Sequence, residues 1–346
     1  MKILHFIPAL GAGGAERQLY LLCRETNADV EHLVTTVSGE GRWARPLREL
    51  GVPVNCLGSR LRDPRMILRL RSEVIRIEPD LIHCWLPSMN IAGALAAGST
   101  PLIASVRNVD DWKPWYYRLA DRVLSLFWSQ IIANSHAGAA EIARTSGIAL
   151  DSIQVIVNGI APRPARLKPP AAKRVVLTAC RLVAHKRVDR ILAVARELPV
   201  LDFRIAGDGP ERRALETGAP SNVEFLGEVA DLGNEYDAAG LFMLASDREG
   251  TSNALLEAMQ AGCVPVVTAV GDNPRIVENG ASGRVAAAGA ELVSAIGDCL
   301  ANWDRMSEAA RASAARYTVP VMAKQTLGVY RSLTLATVAN PLPRLH

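Results

Sequence analysis

Two acids eight positions apart, Glu249 and Glu257, frame the stretch SDREGTSNALLEAMQAG at residues 246–262. The apolar run AGLFMLAS (239–246) precedes them, so DREGTS is a loop joining a strand to a helix. Ser252 or Asn253 is suited to cap a helix that begins near Ala254. Gly250 lets the backbone approach a ligand, and the amides of Thr251, Ser252 and Asn253 are then available to a phosphate. Glu257 falls about one turn into the helix, facing the same space. Its two oxygens suit a vicinal diol, the chemistry of a ribose. A partner for the helix dipole is the plainer explanation of that acid. Glu249 stands farther out, where it can accept from the hydroxyls of a second ring.

Three other short motifs carry groups of this kind. GAGGAE (11–16) follows the first apolar run, and its Gly13 and Gly14 open a close approach to a helix start that favours an anion. CRLVAHKRVD (180–189) holds Arg181 and Lys186 five apart, and two long cations in one loop can clamp a diphosphate. AGDGPERRALE (206–216) sets Gly207 and Gly209 around Asp208 after another apolar run. Taken singly, a tight turn, a solvated cation pair and ordinary turn chemistry explain these three equally.

Regular elements must position these residues. Strand-like runs at 2–8, 31–37, 80–86, 101–106, 129–135 and 153–159 alternate with helix-like segments at 15–25, 65–77, 89–97 and 137–145. A proline-rich stretch, APRPARLKPPAAK (161–173), interrupts the pattern as a linker. The alternation then restarts, with strands expected at 174–180, 202–208, 223–229, 239–246, 263–270 and 283–288. Helices are expected at 189–199, 210–218, 253–262 and 290–303. The expectation is an α/β chain of two doubly wound, Rossmann-like domains, 1–162 and 174–318. A final segment, 319–346, holds one helix (roughly 319–333) and a loose tail, ANPLPRLH. Ligands of such sheets bind beyond the carboxyl ends of the strands, here in an interdomain cleft.

Composition narrows the function classes. The six cysteines, at 23, 56, 84, 180, 263 and 299, form no CxxC pair and no metal-ligand spacing, and read as buried free thiols of a reducing compartment. The opening MKILHFIPALGAGGAE reads as a strand and a glycine loop rather than a signal peptide, because His5 and Pro8 interrupt the apolar run. No run approaches the ~18 apolar residues of a membrane span. Net charge is only +4, yet nine arginines meet three acids (Glu49, Asp63, Glu73) between Arg42 and Arg76. Such a stretch fits an anionic membrane surface or a phosphate-rich partner, and fits a solvated helix face as well.

Together the motifs resemble the retaining glycosyltransferases of family 4, with the two-domain GT-B fold. Glu249 to Glu257 matches the EX7E pattern, GGAE (13–16) the glycine loop, and RLVAHK (181–186) the sugar-nucleotide cations. VEFLGEV (223–229), IIANSHA (131–137), VIVNGI (155–160) and PVV (265–267) resemble family segments in the same order, from residue 2 to about 333. The resemblance implies a metal-independent enzyme without a cofactor, its donor a nucleotide-sugar, with a UDP-sugar expected. Domain 1–162 would hold the acceptor and 174–318 the donor, with the last helix packing back on the first. Arg181 and Lys186 would hold the diphosphate and Glu257 the ribose. Glu249 would contact the transferred sugar, Gly250 to Asn253 and Gly207 would lie near sugar and phosphate, and Gly13 and Gly14 would line the cleft. No DxD motif is present to hold a metal. The family often carries a histidine where this chain has SVRN, so Arg107 and Asn108 stand at the acceptor side, and Arg275 stands where a glutamate is common. His83, expected at a strand end, and Asn90 complete a pattern resembling members that build surface polysaccharide on lipid-linked acceptors. The implied setting is cytoplasmic, with peripheral contact to the inner membrane face and no nucleic-acid partner. A non-catalytic sugar-nucleotide-binding subunit, and a GT-B epimerase or phosphorylase, are the competing expectations.

Overall fold

Every paired strand in the computed structural model, which describes residues 1–109, 113–164 and 170–339, runs parallel to its neighbours. The chain divides into two compact units, 1–161 with 319–346, and 162–318. In the first, β1 (Lys2–Ala9), α1 (Gly14–Thr26), β2 (Glu31–Gly39), α2 (Ala44–Glu49), β3 (Val54–Cys56), α3 (Arg65–Ile77) and β4 (Leu81–Trp85) lead into α4 (Pro87–Ala96). Then come β5 (Leu102–Val106), α5 (Trp115–Leu124), β6 (Gln130–Ala133), α6 (His136–Ser146) and β7 (Ile153–Val155). The second unit holds β8 (Val175–Ala179), α7 (Val188–Glu197), β9 (Asp202–Ala206), α8 (Arg212–Thr217), β10 (Val223–Gly227), α9 (Gly233–Ala238) and β11 (Leu241–Leu244). It ends with α10 (Asn253–Gln260), β12 (Val264–Thr268), α11 (Asn273–Ile276), β13 (Arg284–Ala286), α12 (Ala290–Ala301) and α13 (Trp303–Ala314). A last helix, α14 (Val319–Ala339), belongs to the first unit.

The strand orders are β3-β2-β1-β4-β5-β6-β7 and β10-β9-β8-β11-β12-β13. Each order reverses once, between β1 and β4 and between β8 and β11. A crevice opens at the carboxyl ends of the strands where the order reverses. All five residues of β4, β5, β8 and β12 are buried, as strands covered by helices on both faces require. This is the doubly wound α/β architecture, twice over.

Helix faces follow from spacing. In α3 the buried residues Met66, Leu70, Val74 and Ile77 repeat every three or four positions, and Glu78 ends the helix in the left-handed region with φ 48. In α14, Val319, Met322, Ala323 and Tyr330 enter the core of Ile3, Leu19, Leu22 and Trp85. Burying a ring such as Tyr330 stabilises by about 1.5–3 kcal/mol, so α14 is an integral layer of this unit.

Several expectations change. The helix expected over 290–303 is α12, which ends at Ala301; a further helix, α13, not expected, follows a break at Asn302, whose φ of −116 leaves the helical region. The Asn302 side-chain NH2 donates to the Asp298 carbonyl at 3.0 Å, and the indole of the next residue, Trp303, is turned inward to donate to the Gly240 carbonyl at 2.8 Å. The segment α5 was not expected, because its apolar residues point outward while its inner face carries Asp121, ion-paired to Lys113 at 2.8 Å. The linker stretch 161–173 is described only in part: 165–169 lie outside the described residues, and a 3-10 turn covers 170–174. All but Ala339 of the tail ANPLPRLH lies outside them too. Among the described residues no helix is long and apolar enough to cross a membrane. All six cysteines are free; Cys23, Cys84, Cys263 and Cys299 are buried, Cys56 and Cys180 half-buried.

Candidate functional site

In the second unit the loops after β8, β9, β11 and β12 are tied to one another. The Leu182 amide donates to the Asp208 carbonyl at 2.9 Å, and the Asp247 amide donates to the His185 carbonyl at 2.8 Å. The Asp272 amide donates to the Gly250 carbonyl at 3.3 Å. Two glycines make this closeness possible. Gly207 has φ 132 and a Cβ there would lie 1.9 Å from the Cys180 carbonyl oxygen. Gly271 has φ 56 and a Cβ there would lie 2.0 Å from the Glu249 carbonyl oxygen. No L side chain fits either place without backbone movement.

This frame presents Lys186 to Glu249 across the point of strand reversal. The Lys186 ammonium donates to Glu249 Oε1 at 2.6 Å, and the Ser246 hydroxyl donates to the same oxygen at 2.7 Å. Glu249 is buried and Lys186 half-buried. Neither Glu249 Oε2 nor the exposed Arg181 guanidinium has a hydrogen-bond partner among the described residues. One N–H of the ammonium is used, so two remain for a ligand. Ser252 caps α10, its hydroxyl accepting from the Leu255 amide at 3.3 Å. Glu257 is the fifth residue of that helix and is buried, and Tyr236 donates to its Oε2 at 3.1 Å. Gly250 and Thr251 are buried beside it in sequence, while Asn253 is half-buried. Neighbouring loops of this unit and the start of α10 thus present a cation and two carboxylates, which suits a phosphorylated, hydroxyl-rich ligand.

The first unit differs from expectation in two respects. At GAGGAE, Gly13 and Gly14 are exposed, but the Glu16 carboxylate folds back over the start of α1. A Cβ on Gly13 would lie 2.3 Å from Glu16 Oε2. The Glu16 carboxylate accepts from its own backbone amide in the first turn of α1 and lies over Gly13. Burial pushes the Glu16 carboxyl above the usual range. Second, His83 is not at a strand end. It is the middle residue of β4 and fully buried, with Nδ1 2.6 Å from the Tyr330 hydroxyl and Nε2 2.7 Å from the Ser105 hydroxyl. Strand alternation sends it inward rather than to the rim, and no ring nitrogen is left to meet a substrate. Asn90 is also committed: its side chain donates to the Ser105 carbonyl at 2.9 Å and accepts from the Ser105 amide at 3.1 Å.

Arg107, just after β5, is half-buried with its guanidinium 4.0 Å above the centre of the Trp85 ring. It donates to Asn158 Oδ1 at 3.4 Å, while its Nε is buried with no partner among the described residues. Burial lowers its pKa to about 10, still a cation at neutral pH. A buried N–H of a cation, unpartnered among the described residues, suits an anionic or hydroxylic ligand. The neighbouring Asn108 is exposed and its Oδ1 accepts from the Val109 amide at 3.1 Å.

Behind Arg107 runs a buried chain of rings. His5, Cys23 and His32 offer ligand atoms within 4.8 Å of one another, a spacing a metal could use. The hydrogen bonds assign them otherwise. The Trp85 indole can only donate, and it donates to His5 Nδ1 at 3.2 Å. His5 Nε2 must then carry the proton and donate to His32 Nδ1 at 2.9 Å. His32 Nε2 in turn donates to the Thr26 hydroxyl at 2.7 Å, which donates to the Leu22 carbonyl at 2.7 Å. Each group is satisfied with both imidazoles neutral. Burial holds His5 well below the usual range, and His32 down to about 4.

Sequence reasoning brought Lys186, Glu249, Gly250, Ser252 and Glu257 to one edge of one unit. It passed over Ser246, Tyr236 and Gly271, and over Trp85 and Tyr330 in the other. Ser246 lay within the first stretch considered, three residues before Glu249; Tyr236 and Tyr330 carry no local signal, because only the fold brings them close.

Known proteins resemble the chain in both halves. A family model described as Glycosyltransferase Family 4 matches residues 12–164, and one described as Glycosyl transferases group 1 matches residues 173–302. The lipopolysaccharide core biosynthesis glycosyltransferase LpsE of Rhizobium meliloti is 26% identical over 294 residues, covering 80% of this chain and 81% of that one. The sulfoquinovosyl transferase SQD2 of Arabidopsis thaliana is 25% identical over 62% of this chain, and the match spans 48% of that protein's length. Among solved structures, HepE of Anabaena in complex with UDP-glucose superposes with a TM-score of 0.83 at 21% identity, covering 96% of this chain and 100% of that one.

Proposed function

The chain belongs to the family 4 glycosyltransferases and has their GT-B fold, and from that premise we propose that it moves a sugar, with retention of configuration, from a UDP-sugar to a hydroxyl of a lipid-linked or growing surface glycan. The observation that carries the proposal is the pairing of Lys186 with Glu249 at the strand reversal, in the loop that leads into the helix carrying Glu257. In this reading the two remaining Lys186 N–H groups and Arg181 hold the diphosphate. They stabilise its negative charge as the sugar departs. The amides at the start of α10 face the same phosphates, and Glu257, steadied by Tyr236, accepts from the ribose diol. Glu249 Oε2 accepts from a hydroxyl of the sugar in transit. The HepE complex with UDP-glucose supports the choice of uridine, and LpsE supports a glycan acceptor.

On the acceptor side the proposal rests on Arg107 and Asn108. A guanidinium does not accept a proton, so Arg107 orients the acceptor or its phosphate, and the departing diphosphate takes the acceptor proton. His83 becomes a positioning residue, holding Ser105 and β5 in register behind Arg107. Thermal-shift screening of nucleotide-sugars tests the donor, followed by transfer assays with lipid-linked acceptors. One UDP-sugar should raise the melting temperature, and transfer from it should vanish in Glu249→Ala. A panel with no stabilising nucleotide, or transfer unaffected by that substitution, overturns the reading.

A further inference from the structure

The face of α5 that meets water is apolar. At about 100° per residue, Trp115, Tyr116, Leu119, Arg122 and Val123 fall within about 120° of arc. All five are exposed, Trp115 at 74%. Leu126 and Phe127 extend the stripe at 84% and 60% exposure. Arg122 is the one charged group of α5 on this face; Asp121, the only acid of α5, is turned the other way and buried against Lys113. A helix of a water-facing surface has the opposite arrangement.

The stripe does not end at α5. Tyr116 also lines a groove of about 330 Å³, together with Leu61, Met66, Ile91 and Arg62. Leu68, on the exposed side of α3, is 68% exposed. Along this rim stand Arg60, Arg62 and Arg65, all exposed. The neighbouring Asp63 turns its carboxylate to the Arg65 amide at 2.9 Å. Most other arginines of the basic stretch 42–76 are committed within the protein. Arg45 pairs with Glu49, Arg48 with Glu40 and Arg76 with Glu73, while Arg69 and Arg71 bond carbonyls. The cationic character available outside is thus concentrated where the apolar surface is.

We propose that this face, α5 with its following turn and the Arg60–Arg65 rim, is a docking surface for an anionic phospholipid bilayer. Trp115 and Tyr116 enter the headgroup region, Leu119, Val123 and Leu126 reach the acyl boundary, and the arginines meet lipid phosphates. Aromatic residues beside aliphatic ones, with cations at the margin and no outward acid on α5, are what an interfacial helix needs. A second copy of the chain fits less well, since its own arginines would face these. The inference is independent of the transferase reading, because vesicle binding involves no sugar transfer.

Flotation of the full chain with phosphatidylcholine vesicles, with and without about a third of anionic phosphatidylglycerol, is the test. Binding to anionic vesicles should exceed that to neutral ones at least about tenfold and fall with salt. Leu119→Glu with Val123→Glu should abolish it, and Trp115→Ser should weaken it, with unchanged melting temperatures because these side chains are exposed. Each rim arginine changed to glutamine should cost about fivefold. Equal binding to neutral vesicles, or undiminished binding by the double glutamate variant, overturns the proposal. So does a wild-type dimer that this variant dissolves while vesicles bind neither form.

Discussion

Replacing Lys186 by methionine separates what the lysine does for the fold from what it does for a ligand. The ammonium lies 2.6 Å from Glu249 Oε1, with side-chain exposures of 18% and 5%. At an effective dielectric of about 20 the gross attraction is about 6 kcal/mol, most of it offset by desolvation of both charges. Removing one partner leaves Glu249 buried with only the Ser246 hydroxyl on Oε1. A net loss of about 3 kcal/mol is expected, or about 6–12 °C in the melting of a unit of this size. Glu249→Gln in the same background removes the stranded charge, so the double variant should recover at least about 1.5 kcal/mol relative to additivity. UDP binding, by titration calorimetry, should behave differently. It should fall about tenfold or more in Lys186→Met and stay low in the double variant, because two N–H donors to the diphosphate remain absent. Recovered stability together with recovered UDP affinity would refute the assignment of Lys186 to the diphosphate. Additive stabilities would refute the coupling itself.

Glu257→Ala should weaken UDP about tenfold while leaving 2′,3′-dideoxy-UDP nearly unaffected, and Tyr236→Phe should cost a smaller factor, about threefold; equal losses for both nucleotides would remove the ribose role. Gly271→Ala combines φ 56 with a Cβ 2.0 Å from the Glu249 carbonyl, whereas Gly289 has φ 81 and open space within 4 Å. Urea unfolding should therefore show a loss above about 2 kcal/mol for the first and about 1 kcal/mol for Gly289→Ala. Acid should also destabilise the first unit. His32 falls to about 4 in the folded state, below its ordinary value of 6.5, so the unfolded chain binds the extra proton between these values. Stability is full above pH 6.5 and declines as pH falls toward 4, by about 3 kcal/mol for this one group. The decline should shrink in His5→Gln/His32→Gln, measured by urea midpoints at pH 7 and pH 5.

The alternation of strands and helices was legible because parallel strands buried on both faces read as short apolar runs. β4 and β12 are such runs. The elements that escaped are those where burial and local pattern disagree. In α5 the outward residues are the apolar ones and the inward ones include an ion pair, so periodicity gave no usable direction. The break between α12 and α13 rests on Asn302 and on Trp303 reaching the Gly240 carbonyl, a contact 63 residues away. No local window contains that information. The last helix, α14, was expected, its packing on the first domain through the resemblance alone; there Tyr330 meets His83 across 247 residues.

The two groups of candidate residues, one in each unit, were unequally legible for a related physical reason. Lys186, Glu249, Ser252 and Glu257 sit on loops whose geometry is local: glycines that must be glycines, a capping serine, and acids spaced along a helix start. Each leaves a mark within a few residues. Around Arg107 the environment is assembled from β1, β2, β4, β5 and α14, and its histidines look reactive in the sequence only because the partners that consume their nitrogens are far away. With Trp85 donating to His5, the proton order through His32 to Thr26 is fixed, and neither imidazole is left to accept a proton from outside. His83 is likewise enclosed by Tyr330 and Ser105. Among the described residues, Arg107 offers a cation backed by an aromatic face, with its buried Nε–H unspent. Such a group can hold an acceptor or its phosphate but cannot deprotonate it. In the proposed function, proton removal is accordingly assigned to the leaving diphosphate, with Lys186 and Arg181 as its proposed grip.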